Sequence, residues 1–186
     1  ARFLRNPASF SSHAFVRNPY GRLVSAWRNK FLDGHLATPD HADTGYPRSI
    51  RKRHLGPIRA FARDHSLPGA NSGTLVPFAT FLAYAVRQPD TTRDHHWDSQ
   101  CAVLMIDRIP YTRIWRIEDE RDEGFLTIGR ALGFPDDWVL ARLARPSNPS
   151  KAEATVFTPD LAALARPLVA PDLARFGDSE DSWQGR

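Results

Sequence analysis

Leu23, Trp27 and Phe31 are spaced four apart, with Val24 beside them, so residues 19–32 predict a helix with one apolar face. Just before it, Phe15 and Val16 are β-formers, and residues 13–17 read as a strand ending at Arg17. Asn18 suits the helix N-cap and Pro19 the first helical position, where its missing N–H costs nothing. Asp33-Gly34 offers the stop, with Gly34 suited to a left-handed cap. Ser25 lies two turns into the helix, off the apolar row.

The pattern then fades. Residues 33–73 are rich in Gly, Pro, His, Asp and Arg and read as a long insertion or active-site loop. Within it only Pro57 to His65 suggests a short helix, through Ile58, Phe61 and Ala62. Thr74 caps a predicted helix to about Arg87, with Phe78, Phe81, Leu82 and Ala85 on one face. Residues 90–100 form a polar loop. Cys101 to Ile106 is a short apolar run, expected to be a buried strand or a wall of the site. Tyr111 to Ile117 alternates as a strand ending at Glu118. Helices are expected from Asp119 to Leu132 and from Asp136 to about Arg145. A last one starts at Thr158-Pro159 and is interrupted or kinked by Pro167 and Pro171. The end, from Phe176, is polar and expected to fray.

Strands alternating with helices indicate an α/β fold. The 186 residues suffice for one domain with a real core: 1–12 as an irregular lead-in, 13–177 as the domain, and 178–186 as a polar tail. With 41% hydrophobic and 25% charged residues the composition is that of a globular protein. The single cysteine, Cys101, excludes an intrachain disulfide and favours a reducing compartment, so a cytoplasmic location is expected. The alternative is membrane anchoring through a segment ahead of Ala1. No apolar run reaches the length of a membrane span. The net charge of +4 resides almost wholly on arginine, since only Lys30, Lys52 and Lys151 are lysines. Arginine forks suit phosphate and sulfate, although a compositional bias would give the same count. The densest basic cluster is Arg48, Arg51, Lys52, Arg53, His54, Arg59 and Arg63. It fits either an anionic acceptor or a solvated loop. A nucleic-acid partner is not expected, because stacking motifs are lacking.

A strand end followed at once by a helix N-terminus favours anions. That makes residues 15–31 an anion-site candidate. His35, His41, His54, His95 and His96 show no spacing that signals a metal, and scattered surface histidines are the expectation. Lys30 and Arg22 read as surface or ion-pair residues. His96 suits a general base near neutral pH, or else forms a structural pair with Trp97. Glu118 reads as a buried carboxylate paired with Arg116 or Arg22.

Residues 15–31 closely resemble the 3′-phosphate-binding segment of the sulfotransferase family that includes the carbohydrate sulfotransferases. Arg17, Asn18, Pro19, Arg22, Leu23, Val24, Ser25, Trp27, Asn29, Lys30 and Phe31 fit it. Phe78, Phe81 and Leu82 fit the family's next helix, and His96, Trp97 and Gln100 its His-Trp-x-x-Gln. Tyr111, Ile114, Arg116 and Glu118 follow in order, with Trp115 where relatives have glycine and Ile117 where they have an aromatic. Leu132-Gly133, then Asp172, Phe176 and Gly177, complete the agreement.

The resemblance implies a P-loop-NTPase-like fold with a parallel sheet flanked by helices. It implies sulfuryl transfer from PAPS (3′-phosphoadenosine 5′-phosphosulfate) to a hydroxyl, with carbohydrate as the expected acceptor class. It implies that Arg17 and Ser25 hold the 3′-phosphate of PAPS or of the product PAP. The family needs no metal. Its 5′-phosphosulfate loop, a Pro-Lys loop after an N-terminal strand, has no counterpart in Ala1 to Ser12, which hold neither lysine nor glycine. A truncated N-terminus is therefore expected. The alternative is a catalytically incomplete remnant that binds a nucleotide or anionic glycan without turnover.

Overall fold

A computed structural model describes residues 11–32, 48–71, 75–145 and 156–184. The chain divides into two compact units. The first combines Ala1–Asn18 with Gln100–Glu153, and the second combines Pro19–Ser99 with Ala154–Arg186. The expected lead-in lies outside the described residues up to position 10, as do the Asp33-Gly34 stop and the Thr74 cap.

In the first unit, β1 (His13–Val16) pairs in parallel with β2 (Arg113–Arg116), in register from His13↔Arg113 to Val16↔Arg116. This α/β character, with a small parallel sheet, agrees with the expected fold class. The short helix α4 (Gln100–Val103) precedes β2, and α5 (Ile117–Ala131) and α6 (Asp136–Leu143) follow it. Glu118, Asp119 and Glu120 in the first turn of α5 and Arg130 in its last complement the helix dipole. Trp115 is buried under α5, with its indole N–H donating to His13 Nδ1 at 3.1 Å. Phe15 stacks on Phe125 at 4.3 Å between ring centroids.

Cys101–Ile106 is not a strand. The Leu104 N–H donates to Gln100 O at 2.9 Å and the Ile106 N–H to Cys101 O at 3.1 Å, closing helical turns, and Met105 is half exposed. A short apolar run carries no periodicity that separates the two states.

The second unit is helical among its described residues: α1 (Pro19–Trp27) running into a π-helical turn (Arg28–Leu32), α2 (Arg48–Asp64), α3 (Phe78–Arg87) and α7 (Pro159–Phe176). Its core gathers Leu23, Val24 and Phe31 with Leu55, Ile58, Phe81, Leu82, Ala165, Leu168 and Val169. The helix expected at Pro57 to His65 is longer and begins at Arg48. Leu55, Ile58 and Ala62 form its buried stripe, and their burial outweighs the breakers Gly56 and Pro57, which face solvent. Likewise α7 runs unbroken through Pro167 and Pro171. Both prolines are exposed, so the backbone bonds they forfeit lie on the solvent side. Thr158 caps α7 by accepting from the Leu161 N–H at 3.3 Å, and Gly177 ends it at φ 74°, a conformation that favours glycine. The tail does not simply fray, because Trp183, in a 3-10 turn at Ser182–Gln184, packs on the core. No described helix is long and apolar enough to cross a membrane.

Gly124 is where α5 meets the sheet. A Cβ there would lie 2.7 Å from Phe15 Cε1 and 2.8 Å from the Trp115 ring. Gly124→Ala is expected to destabilise the protein by about 1–3 kcal/mol through overpacking, which exceeds the ~1 kcal/mol that alanine gains in a helix. Urea denaturation measures the balance, and a midpoint that stays or rises would refute the close packing.

Candidate active site

The site grows from a tight turn. Asp94 Oδ1 accepts the His96 N–H at 3.0 Å, an Asx-type closure, and Asp94 O accepts the N–H groups of Trp97 and Asp98 at 3.0 and 2.9 Å. Trp97 anchors this turn in the core of the second unit. It is 1% exposed, packs against Phe81 at 5.5 Å and Phe31 at 6.2 Å, and its indole N–H donates to Gln88 Oε1 at 2.6 Å. Arg22, on α1, donates to the carbonyls of Asp98 and His95, the latter at 2.5 Å. It therefore fastens the turn's backbone. Arg93 donates to Asp98 Oδ1 at 3.2 Å and to Gln88 O at 2.9 Å.

The turn presents a cluster around one buried carboxylate. The Asp94 side chain is 6% exposed; its Oδ1 lies 2.6 Å from His96 Nδ1, and its Oδ2 lies 3.8 Å from His54 Nδ1 and 3.7 Å from Arg53 Nε. His54 is buried against Trp97 at 5.5 Å between ring centroids. The His96 side chain is 36% exposed, enough to be reached from solvent. Lys30, on the π-helical turn, is buried and acts on both imidazoles. π-Turns of this kind recur at functional sites.

The electrostatics follow from these neighbours. Burial pushes the His54 imidazole below its ordinary value; Asp94 opposes this, and Lys30 adds to it. Burial likewise lowers His96, with the Asp94 hydrogen bond opposing and Lys30 reinforcing. Burial pushes the Asp94 carboxyl up, but the His96 amide and ring outweigh it, so the group is held below the usual carboxylate value. Asp94 is thus an anion beside a neutral His96. A carboxylate can only accept, so His96 Nδ1 carries the proton and Nε2 keeps its lone pair. That is the arrangement of an oriented general base.

Asp94, His95 and His96 also bring ligand atoms within 4.8 Å of one another, so the expectation of scattered surface histidines fails here. A divalent cation would have to share this space with the charges of Lys30 and Arg53.

The other candidates lie elsewhere along the chain. Ser25 is half-buried in α1 of the second unit, next to the buried Val24 and Ala26. Arg17 belongs to the first unit, half-buried at the carboxyl end of β1. Among the described residues its guanidinium has no ion-pair partner. Its backbone is gripped instead: the Arg17 N–H donates to Gln100 Oε1 at 2.9 Å, and Gln100 Nε2 donates to Arg17 O at 2.8 Å. Glu118 is exposed rather than buried, and its Oε1 accepts the Asn18 N–H at 2.6 Å. The expected pairing of Glu118 with Arg116 or Arg22 is thus replaced by a backbone contact.

Sequence reasoning did not single out Asp94, and it named His54 and Lys30 without this grouping. Asp94 had a signal, as an aspartate two residues before a histidine in a loop. Lys30 fits the family segment, but an α-helical projection sets it off the apolar row, and the widened turn alters that projection.

The model of the family described as "Sulfotransferase family" matches residues 3–145, and the chain belongs to that family. It is similar to carbohydrate sulfotransferase 8 of Homo sapiens, 31% identical over 139 residues, covering 71% of this chain and 30% of the relative. It is similar to carbohydrate sulfotransferase 11 of Rattus norvegicus, 29% identical over 124 residues, covering 63% and 32%. Carbohydrate sulfotransferase 12 of Mus musculus is 25% identical over 143 residues, covering 69% and 31%. The chain therefore spans about 30% of the length of these relatives. No solved structure matches.

The lowered His54 has a consequence for folding. A histidine depressed in the folded state contributes stability that is present above its unfolded value of 6.5 and is lost as pH falls through the folded value. Urea-derived stability is expected to be flat near pH 8 and to decline as pH drops below 6.5. His54→Gln should shallow that decline. An equal slope in the variant would contradict the burial of a neutral imidazole.

Proposed function

We propose that the protein is a sulfotransferase that moves a sulfuryl group from PAPS to a hydroxyl of a carbohydrate acceptor. The observation that carries this reading is the pairing of His96 with the buried Asp94 within a chain of the sulfotransferase family. The names of the similar proteins support carbohydrate as the acceptor class.

The residues fit a phosphate-bearing donor. Arg17 follows β1 and Pro19 opens α1, so a cation and a helix N-terminus succeed each other along the chain. By their match to the family segment, Arg17 takes a 3′-phosphate oxygen with its guanidinium and Ser25 donates its hydroxyl to the same phosphate. When bound, PAPS supplies the sulfuryl group and a phosphate leaving group.

On the acceptor side, His96 Nε2 removes the hydroxyl proton as that oxygen forms its bond to sulfur. The bond between sulfur and the bridging phosphate oxygen breaks, and PAP departs with the electron pair. Asp94 holds the imidazole by Nδ1 and stabilises the imidazolium that forms. Lys30 then weakens that imidazolium's hold on its proton. Such a base contributes typically 10²–10⁴-fold.

Titration of PAP into the full-length protein tests the donor side: binding is expected, with at least a tenfold loss in Arg17→Ala. His96→Ala is expected to lower kcat by about 10²–10⁴-fold with PAP affinity kept. The acid limb of kcat/KM should lie below the ordinary histidine value of 6.5. Asp94→Asn should move it lower still, since the carboxylate is what raises the imidazole. An acid limb that ignores both substitutions would remove His96 from the chemistry. PAP binding without transfer to any sugar acceptor would favour a nucleotide- or glycan-binding remnant instead.

A further inference from the structure

The ladder between β1 and β2 ends at Val16↔Arg116, so among the described residues the backbone of Arg17 has no strand to pair with. Buried backbone groups must be satisfied by something. Gln100 satisfies both: its amide accepts the Arg17 N–H at 2.9 Å and donates to the Arg17 carbonyl at 2.8 Å. A side-chain amide here mimics the peptide of a neighbouring strand. Gln100 is 6% exposed and begins α4, which fixes its direction. The next N–H along, that of Asn18, goes to Glu118 Oε1 at 2.6 Å. Glu118 lies in the first turn of α5, directly after β2. Two consecutive residues past the strand end are thus held by two side chains from different elements.

We propose that Gln100 and Glu118 are positioning residues for an anion site at Arg17. They lock the backbone at the strand end so that the guanidinium leaves it at a fixed place. The inference rests on the reading of Arg17 as the 3′-phosphate contact, and it goes beyond that reading by giving two residues that touch no substrate a role in donor affinity. It also gives a role to Glu118, whose carboxylate accepts a backbone N–H.

The test uses full-length protein and PAP as the probe. Gln100→Met keeps the volume and deletes both hydrogen bonds. It is expected to weaken PAP binding about tenfold, within what one or two net hydrogen bonds supply. Hydrogen exchange at the Arg17 amide should accelerate in the same variant. Glu118→Ala, at an exposed position that folding tolerates, should weaken PAP binding about threefold and keeps the test available if Gln100→Met does not fold. The decisive comparison is the double variant. If Gln100 acts through Arg17, then Arg17→Ala with Gln100→Met binds no more weakly than Arg17→Ala alone. Additive losses, or unchanged PAP affinity in both Gln100→Met and Glu118→Ala, would overturn the proposal. PAP binding that is indifferent to Arg17→Ala would instead overturn the donor-site reading on which it rests.

Discussion

The second unit depends on one buried indole. Trp97 packs against aromatic rings from the π-helical turn and α3, and its N–H is matched to Gln88 at the end of α3. A large ring excluded from water contributes several kcal/mol by area alone, and a satisfied N–H removes the penalty it would otherwise carry. The consequence of this anchor is geometric. Residues 94–96 precede it in a turn closed by Asp94's own oxygens, so once the indole is seated the carboxylate and the imidazole beside it are seated too. Trp97 thus supplies the rigidity that the proposed role of His96 would require.

The elements with strong periodicity were legible. The face Phe78, Phe81, Leu82 and Ala85 is buried as its spacing implies, and the strand–helix junction at Arg17 to Pro19 stands where the β-formers, the N-cap candidate and the proline placed it. Legibility failed where local and tertiary preferences disagreed. Pro57 read as a helix start and the paired prolines of α7 as an interruption or kink, but each helix runs on over a buried stripe whose gain exceeds the local cost. Cys101–Ile106 failed for a different reason: six apolar residues fit either state.

The candidate site was half legible. Its motif residues could be found by resemblance, because Arg17, Ser25, His96, Gln100 and Glu118 all fall on family positions. Their roles could not, because a role is a matter of which atoms meet. Gln100 and Glu118 turn their polar groups to backbone, and Arg22 turns its fork to carbonyls. Asp94 lies outside those family positions, yet its carboxylate faces both imidazoles and Arg53.

The cluster around Asp94 admits two chemistries, and charge bears on both. Its carboxylate and imidazoles are the ligand types a divalent cation takes. A dication, however, would enter a space already influenced by the buried Lys30 and by Arg53 near the same carboxylate. One carboxylate does not neutralise that sum. A proton has no such difficulty, since His96 is neutral until it accepts one and Asp94 stands against Nδ1 when it does. Under the proposed role of His96, burial, with Lys30 adding to it, keeps the imidazole neutral near neutral pH and so able to take a proton.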